Sequence, residues 1–242
     1  MISEDGWTGI KGIVLDAVGT LIEPQPSVAR AYADAALRQG VVVDVAVVKQ
    51  RFGRHFRNDE VDEQLGPMVT DESIEHRRWR RIVANVLPDL PDPDLAFEEL
   101  WDHFGRPQAW RCYPDVDRGI ATLSQSGFRI RVASNFDCRL RAVAAGLPEL
   151  AGFVETLVIS SEVGYRKPHA AFFAAACASL GLLPEKVVCV GDDPENDVRG
   201  AERAGLRGLL LDRDGRRPAG LASFPDLLSL ANSISSHGSN TV

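Results

Sequence analysis

Four short stretches hold the residues able to do chemistry. Asp16 ends the apolar run Ile13-Val14-Leu15 and is followed by Ala17, Val18, Gly19 and Thr20. Ser134-Asn135 follows a second apolar run, and Lys167 stands before Pro168. Gly191-Asp192-Asp193-Pro194-Glu195-Asn196-Asp197 closes a third run. Together they offer a carboxylate, a hydroxyl, a fixed cation and an acidic cluster. Two acidic sites brought together repel unless a cation sits between them. Mg²⁺ is the oxygen-seeking ion that fits, held by carboxylates, substrate phosphate and water. Lys167 would neutralise charge on Asp16 and on a bound phosphate, while Ser134 and nearby N–H groups would take phosphate oxygens. Taken alone, Asp16 reads equally well as an Asp that merely ends a strand.

The elements that must position these residues alternate between strand and helix. Ile13–Leu15, Phe128–Ala133, Val154–Ile159, Lys186–Val190 and Leu209–Leu211 read as strands. Asp115–Gln125, Asp137–Ala145, Pro168–Leu180, Pro194–Ala204 and Pro225–Asn232 read as helices, many stopped by Gly. That is a doubly wound α/β domain, a parallel Rossmann-like sheet whose strand ends carry ligands. Between its first two strands lies a different texture. Glu23-Pro24-Gln25-Pro26 is expected to break the strand. Four helices then follow to about Gly105, capped by Ser27, Asp44 and Asp71, with the fourth beginning near Asp94. The expected division is therefore a core of 1–22 and 112–242 with a helical bundle, 23–111, inserted in it.

The 242 residues are 45% hydrophobic with a formal net charge of −7. This argues against nucleic acid as a partner, since nucleic-acid binders usually carry a basic face. No apolar run has the length of a membrane span, and Met1–Thr8 lacks the apolar centre of a signal peptide. Cys112, Cys138, Cys177 and Cys189 form no CxxC and read as reduced thiols of a cytoplasmic protein. The polar Ser235–Asn240 is expected to fray.

The four stretches, in this order, resemble the motifs of the haloacid dehalogenase-like (HAD) hydrolase superfamily. The similarity runs over about residues 8–232 and is strongest toward the branch containing haloacid dehalogenase-like hydrolase domain-containing protein three. The inserted bundle resembles that family's small helical cap. The resemblance implies that Asp16 is a nucleophile forming an aspartyl-phosphate, and that Thr20 supports its loop. It implies Mg²⁺ held by Asp16, the Val18 carbonyl and Asp192, with Asp193 and Asp197 assisting directly or from behind; Asp197 would alternatively hold Lys167. Ser134, Asn135 and Lys167 would bind a small phosphorylated or otherwise anionic substrate.

Val18 departs from the pattern. Phosphatases of the family usually carry a second Asp there, as acid for the leaving group and then base for water. Losing such a group typically costs about 10²–10⁴ in rate. Two alternatives stay open: a slow or silent phosphate-binding protein, and a metal-independent 2-haloacid dehalogenase, whose halide needs no proton. Against the latter, the fourth stretch is strongly acidic. Arg77, Arg78, Arg80 and Arg81 flank Trp79 and read mainly as a solvated helix face, with anion binding as the alternative. Glu195 is equally well explained by the dipole of the helix it begins.

Overall fold

The computed structural model describes residues 7–64, 66–215 and 220–238. In chain order, β1 (Gly12–Leu15) and β2 (Ile22–Pro24) precede helices α1 (Val28–Arg38), α2 (Val45–Gln64), α3 (Glu72–Val86) and α4 (Pro93–Phe104). Then come β3 (Trp110–Cys112), α5 (Val116–Gln125), β4 (Arg129–Ser134), α6 (Arg139–Ala145), β5 (Val158–Ile159), α7 (Ser160–Val163) and α8 (Ala170–Leu180). The chain ends with β6 (Val187–Gly191), α9 (Gly200–Arg203), β7 (Arg207–Leu211), β8 (Ser223–Phe224) and α10 (Leu227–Gly238).

Six strands pair in parallel in the order β5-β4-β1-β6-β7-β8. β1 sits between β4 and β6, so the chain turns to opposite sides of it. This is the switch point at which parallel sheets bind ligands. Its four residues are all buried, because the sheet is covered on both faces. Ile13 and Leu15 share one core with Val116 and Leu123 of α5 and Leu227 of α10. Val14, pointing the other way, shares a second with Phe172 and Phe173 of α8. Each such burial is worth about 1.5–3 kcal/mol, which holds the strand end steady.

Helices α1–α4 have a core of their own, around Tyr32, Val48, Ile82, Val86 and Phe97. Ser27, Asp44 and Asp71 cap the first three helices through the N–H groups of Arg30, Ala46 and Ile74. The fourth helix begins at Pro93, beside the expected Asp94. Pro93 takes its first turn and Asp92 caps it through Leu95 N–H at 2.9 Å, while Asp94 pairs with Arg80 instead.

Other expectations need correction. Glu23-Pro24 does not end strand structure: β2 pairs antiparallel with β3, Pro24 opposite Trp110. A two-stranded edge leaves room for the missing proline N–H. Val154–Thr156 is not strand but a 3₁₀ turn of 151–156, leaving only Val158–Ile159 to pair with β4. The β-branched residues there pack onto the core from a turn. The predicted helix over Pro194–Ala204 begins as a wide π turn, Pro194–Arg199, before α9. The polar tail stays helical to Gly238; 239–240 and Met1–Gly6 lie outside the described residues. Among the described residues no helix is long and apolar enough to cross a membrane.

Candidate active site

The loop after β1 is tied down by its own backbone. Ala17 O accepts from Leu21 N–H and Ile22 N–H at 2.7 and 2.9 Å, and Ile22 O accepts from Gly19 N–H at 2.8 Å. Gly19 is in the left-handed region, φ 86°, and a Cβ there would lie 2.3 Å from an Asp192 oxygen. Glycine is thus required both by conformation and by the approach of the acidic loop.

Lys167 is the hub. Its buried Nζ donates to Asp16 Oδ1 at 2.6 Å, to Asp197 Oδ1 at 2.6 Å and to the Ala133 carbonyl at 3.2 Å. Burial alone would discharge the amine, but Asp16 and then Asp197 outweigh it and hold the ammonium charged. Ser134, the last residue of β4, donates its hydroxyl to Asp16 Oδ1 at 3.3 Å. Asn135 lies beside this contact and grips Lys167 with both ends of its amide: its NH₂ donates to the Lys167 carbonyl at 3.0 Å, and its oxygen accepts from Lys167 N–H at 2.7 Å. Thr20 donates to Asp192 Oδ1 at 3.3 Å, linking the two acidic loops.

Asp16, Asp192 and Asp197 each place an oxygen within 4.8 Å of the others. Asp192 has an edge open to solvent, although protein crowds the rest of it. Loss of water, then the carboxylates of Asp16, Asp197 and Asp193, push its carboxyl well up. Burial raises Asp197 as well, against the opposing pull of Lys167. Three carboxylates faced by one ammonium leave excess negative charge, and the donors are all hard oxygens. That set fits a divalent cation such as Mg²⁺.

Asp193 stands apart from this trio. Its carboxylate caps the following turn, accepting from Glu195 and Asn196 N–H at 2.8 Å each, while its own N–H donates to Asp197 Oδ2 at 3.1 Å. Glu195 faces outward to Arg199 and Arg203. Of the arginine run, Arg77, Arg80 and Arg81 are exposed, but Arg78 is buried against Asp59 and Glu75.

Several residues escaped the sequence. Arg166 is buried in an ion pair with Glu75 of α3, which also accepts from Thr70 at 2.7 Å. Arg213 donates to the Thr20 carbonyl at 2.7 Å, pairs with Asp115 at 2.9 Å, and lies 3.8 Å over the Tyr113 ring. The position of Arg166 directly before Lys167 was the one available signal for it. Val18, half-buried, lines a cavity of about 310 Å³ between the helical bundle and the α/β core; Asn135 lines it too.

Comparison with known proteins adds the following. A family profile described as haloacid dehalogenase-like hydrolase matches residues 10–205. A phosphoserine phosphatase of Thermus thermophilus is 34% identical over 138 residues, 56% of this chain and 54% of that protein. The match thus spans only about half the length of that relative. A glyceraldehyde 3-phosphate phosphatase of Methanopyrus kandleri is 26% identical over 225 residues, 89% of this chain and 92% of that one. Haloacid dehalogenase-like hydrolase domain-containing protein 3 of Danio rerio is 26% identical, with 86% and 88% covered. A solved dehalogenase structure with an intermediate complex has a TM-score of 0.74 at 19% identity, with 93% of this chain and 97% of that chain covered, a likeness of fold.

Proposed function

The chain belongs to the haloacid dehalogenase-like hydrolase family, and from that premise we propose that it is a Mg²⁺-dependent phosphatase of a small phosphorylated molecule, with a weak second step. The observation that carries the reading is the Lys167 ammonium, 2.6 Å from both Asp16 and Asp197, with an Asp192 oxygen close by. Asp16, Asp192 and Asp197 would hold Mg²⁺, together with the Val18 carbonyl, and Asp193 would brace them through its N–H bond to Asp197. When bound, the ion supplies neutralisation of phosphate charge.

The chain's own groups do the rest. Asp16 attacks phosphorus and the leaving oxygen departs with its electron pair. Ser134 and Lys167 hold phosphate oxygens, and Lys167 offsets the charge that gathers there. Asn135 orients Lys167 by gripping both its N–H and its carbonyl. Thr20 fixes Asp192. Residues 23–111 act as a cap over the core of 1–22 and 112–242. Val18 cannot take the proton of the attacking water, so release of phosphate from Asp16 is slow. The buried free thiols Cys177 and Cys189 accord with a cytoplasmic setting.

The test is rapid-mix kinetics with p-nitrophenyl phosphate and Mg²⁺, beside Asp16→Asn. The expected result is a burst of about one equivalent of p-nitrophenolate followed by slow turnover, absent in the variant. Equal rates in the two proteins would overturn the reading. A second reading, a 2-haloacid dehalogenase, is favoured by one observation: Val18 and the apolar cavity beside it suit a substrate whose leaving halide needs no proton. Chloride release from 2-chloropropionate without metal would establish it.

A further inference from the structure

Resting on the phosphatase reading, we infer that the leaving group is a flat apolar one: the substrate is an aryl phosphate, with a ring system about the size of naphthalene. Two independent observations lead there, the cavity wall and the residue at position 18.

The cavity has about 310 Å³. A cavity of about 150 Å³ is enough to take benzene, so this one has room for two fused rings. Val18 and Asn135, which line it, are near neighbours in the chain of Asp16 and Ser134. A phosphate held at Asp16 therefore carries its ester group toward this space. Tyr32, Phe56, Trp79 and Trp101 form much of the wall. Ring faces and edges of this kind favour another aromatic ring, by about 0.5–1.5 kcal/mol per pair beyond area burial.

The arginines on the wall already face protein carboxylates, and Glu60, the one carboxylate there among the described residues, accepts from the Asn196 side-chain amide at 3.4 Å. Arg139 pairs with Asp137 at 2.7 Å and lies 3.2 Å over the Trp101 ring. Arg166 faces Glu75, and Arg78 faces Asp59. Asn135 has both ends of its amide committed to Lys167. A sugar or amino-acid leaving group would bring hydroxyls or charges to a wall of rings, at about 1–3 kcal/mol for each group left unpartnered. An aryl group brings none.

Val18 points the same way by chemistry. A phenol has a pKa near 10, like tyrosine, whereas an aliphatic alcohol lies nearer water at about 15.7. In the first step the Asp16 oxygen bonds to phosphorus, the phosphorus–aryl oxygen bond breaks, and the electron pair leaves on a phenolate that solvent later protonates. In the second, water bonds to phosphorus, the bond to Asp16 breaks, its carboxylate is restored, and the proton of water goes to solvent. The first step needs no acid at position 18 only if the leaving group is as stable as a phenolate. The cavity and the missing acid thus select the same substrates.

Phenols are intrinsically better leaving groups, so rates alone cannot test the pocket. The decisive measurement is calorimetric binding of 1-naphthylmethylphosphonate and ethylphosphonate, two inert probes of equal charge, to the full chain with Mg²⁺, alongside turnover of 1-naphthyl phosphate and ethyl phosphate. We expect the naphthyl probe to bind about tenfold or more tightly. Leu100→Trp, which fills the cavity, is expected to erase most of that difference; Val83→Phe serves if Leu100→Trp does not fold. Equal affinity of the two probes overturns the pocket even if both esters are hydrolysed, and the phosphatase reading then survives. Selective binding without turnover of either ester overturns the leaving-group assignment together with the phosphatase reading.

Discussion

Glu75 of α3 and Arg166, the residue before Lys167, form a buried ion pair joining the helical bundle to the α/β core. Both side chains are nearly out of water, and Arg78 faces the same carboxylate at 3.7 Å. The backbone beside the pair is stitched across as well: Arg166 N–H donates to Met68 O, and Thr70 N–H to Gly164 O. Lys167, which holds Asp16, is thus one residue from the joint between the two units.

Removing one charge of this pair strands the others. Glu75→Gln is expected to destabilise the protein by about 3–5 kcal/mol, the usual cost of breaking a buried pair from one side. Urea denaturation would measure it. A loss under about 1 kcal/mol would mean that water reaches Arg166 and Arg78 once Glu75 is gone.

The same carboxylate makes a prediction about acid. Burial works to raise Glu75, but the Arg166 and Arg78 guanidiniums outweigh it and hold the group below its ordinary 4.5. A depressed carboxylate contributes stability that is complete above the unfolded value and is lost as pH falls through the folded one. The stability gap between the native protein and Glu75→Gln should therefore be constant from pH 7 to about 5 and close below 4.5. Denaturation curves at each pH would show it; a gap that widens in acid would contradict the assignment.

Val18→Asp places a carboxylate two residues after Asp16 that can give a proton to the leaving group and then take one from water. Steady-state hydrolysis of p-nitrophenyl phosphate should rise about tenfold or more, and the burst should merge into the steady rate. An unchanged rate would mean that another group already activates water, or that chemistry is not limiting.

Gly19→Ala tests the approach of the two acidic loops. The left-handed backbone costs a residue with a Cβ about 1–2 kcal/mol, and the new methyl would displace the Asp192 carboxylate. Mg²⁺ affinity by calorimetry is expected to fall by about tenfold or more. Full affinity in the variant would remove Asp192 from the ligand set.

What could be read in the chain and what could not divides along physical lines. An apolar run ending in Asp16 is visible because a buried parallel strand has a composition of its own, and helix caps such as Asp71 are local hydrogen bonds. Glu75, Arg78 and Arg166 were not visible, because charged residues on a surface and charged residues buried with partners have the same letters. Val154 misled for the reverse reason: β-branched residues pack as well from a turn as from a strand. The link of Arg213 to Thr20 joins residues far apart in the chain, and no short window holds both.

The bundle leaves and rejoins the sheet through β2 and β3, which lie side by side with Ile22 opposite Cys112. To the sheet, everything between is a single long hairpin loop. The entropy of closing a loop grows only slowly with its length, so the excursion can be lengthened, trimmed or traded for another without redrawing the order of the core strands. A graft cut across this ribbon would therefore be the natural way to exchange the whole helical insert while leaving the strand ends of the core where they are.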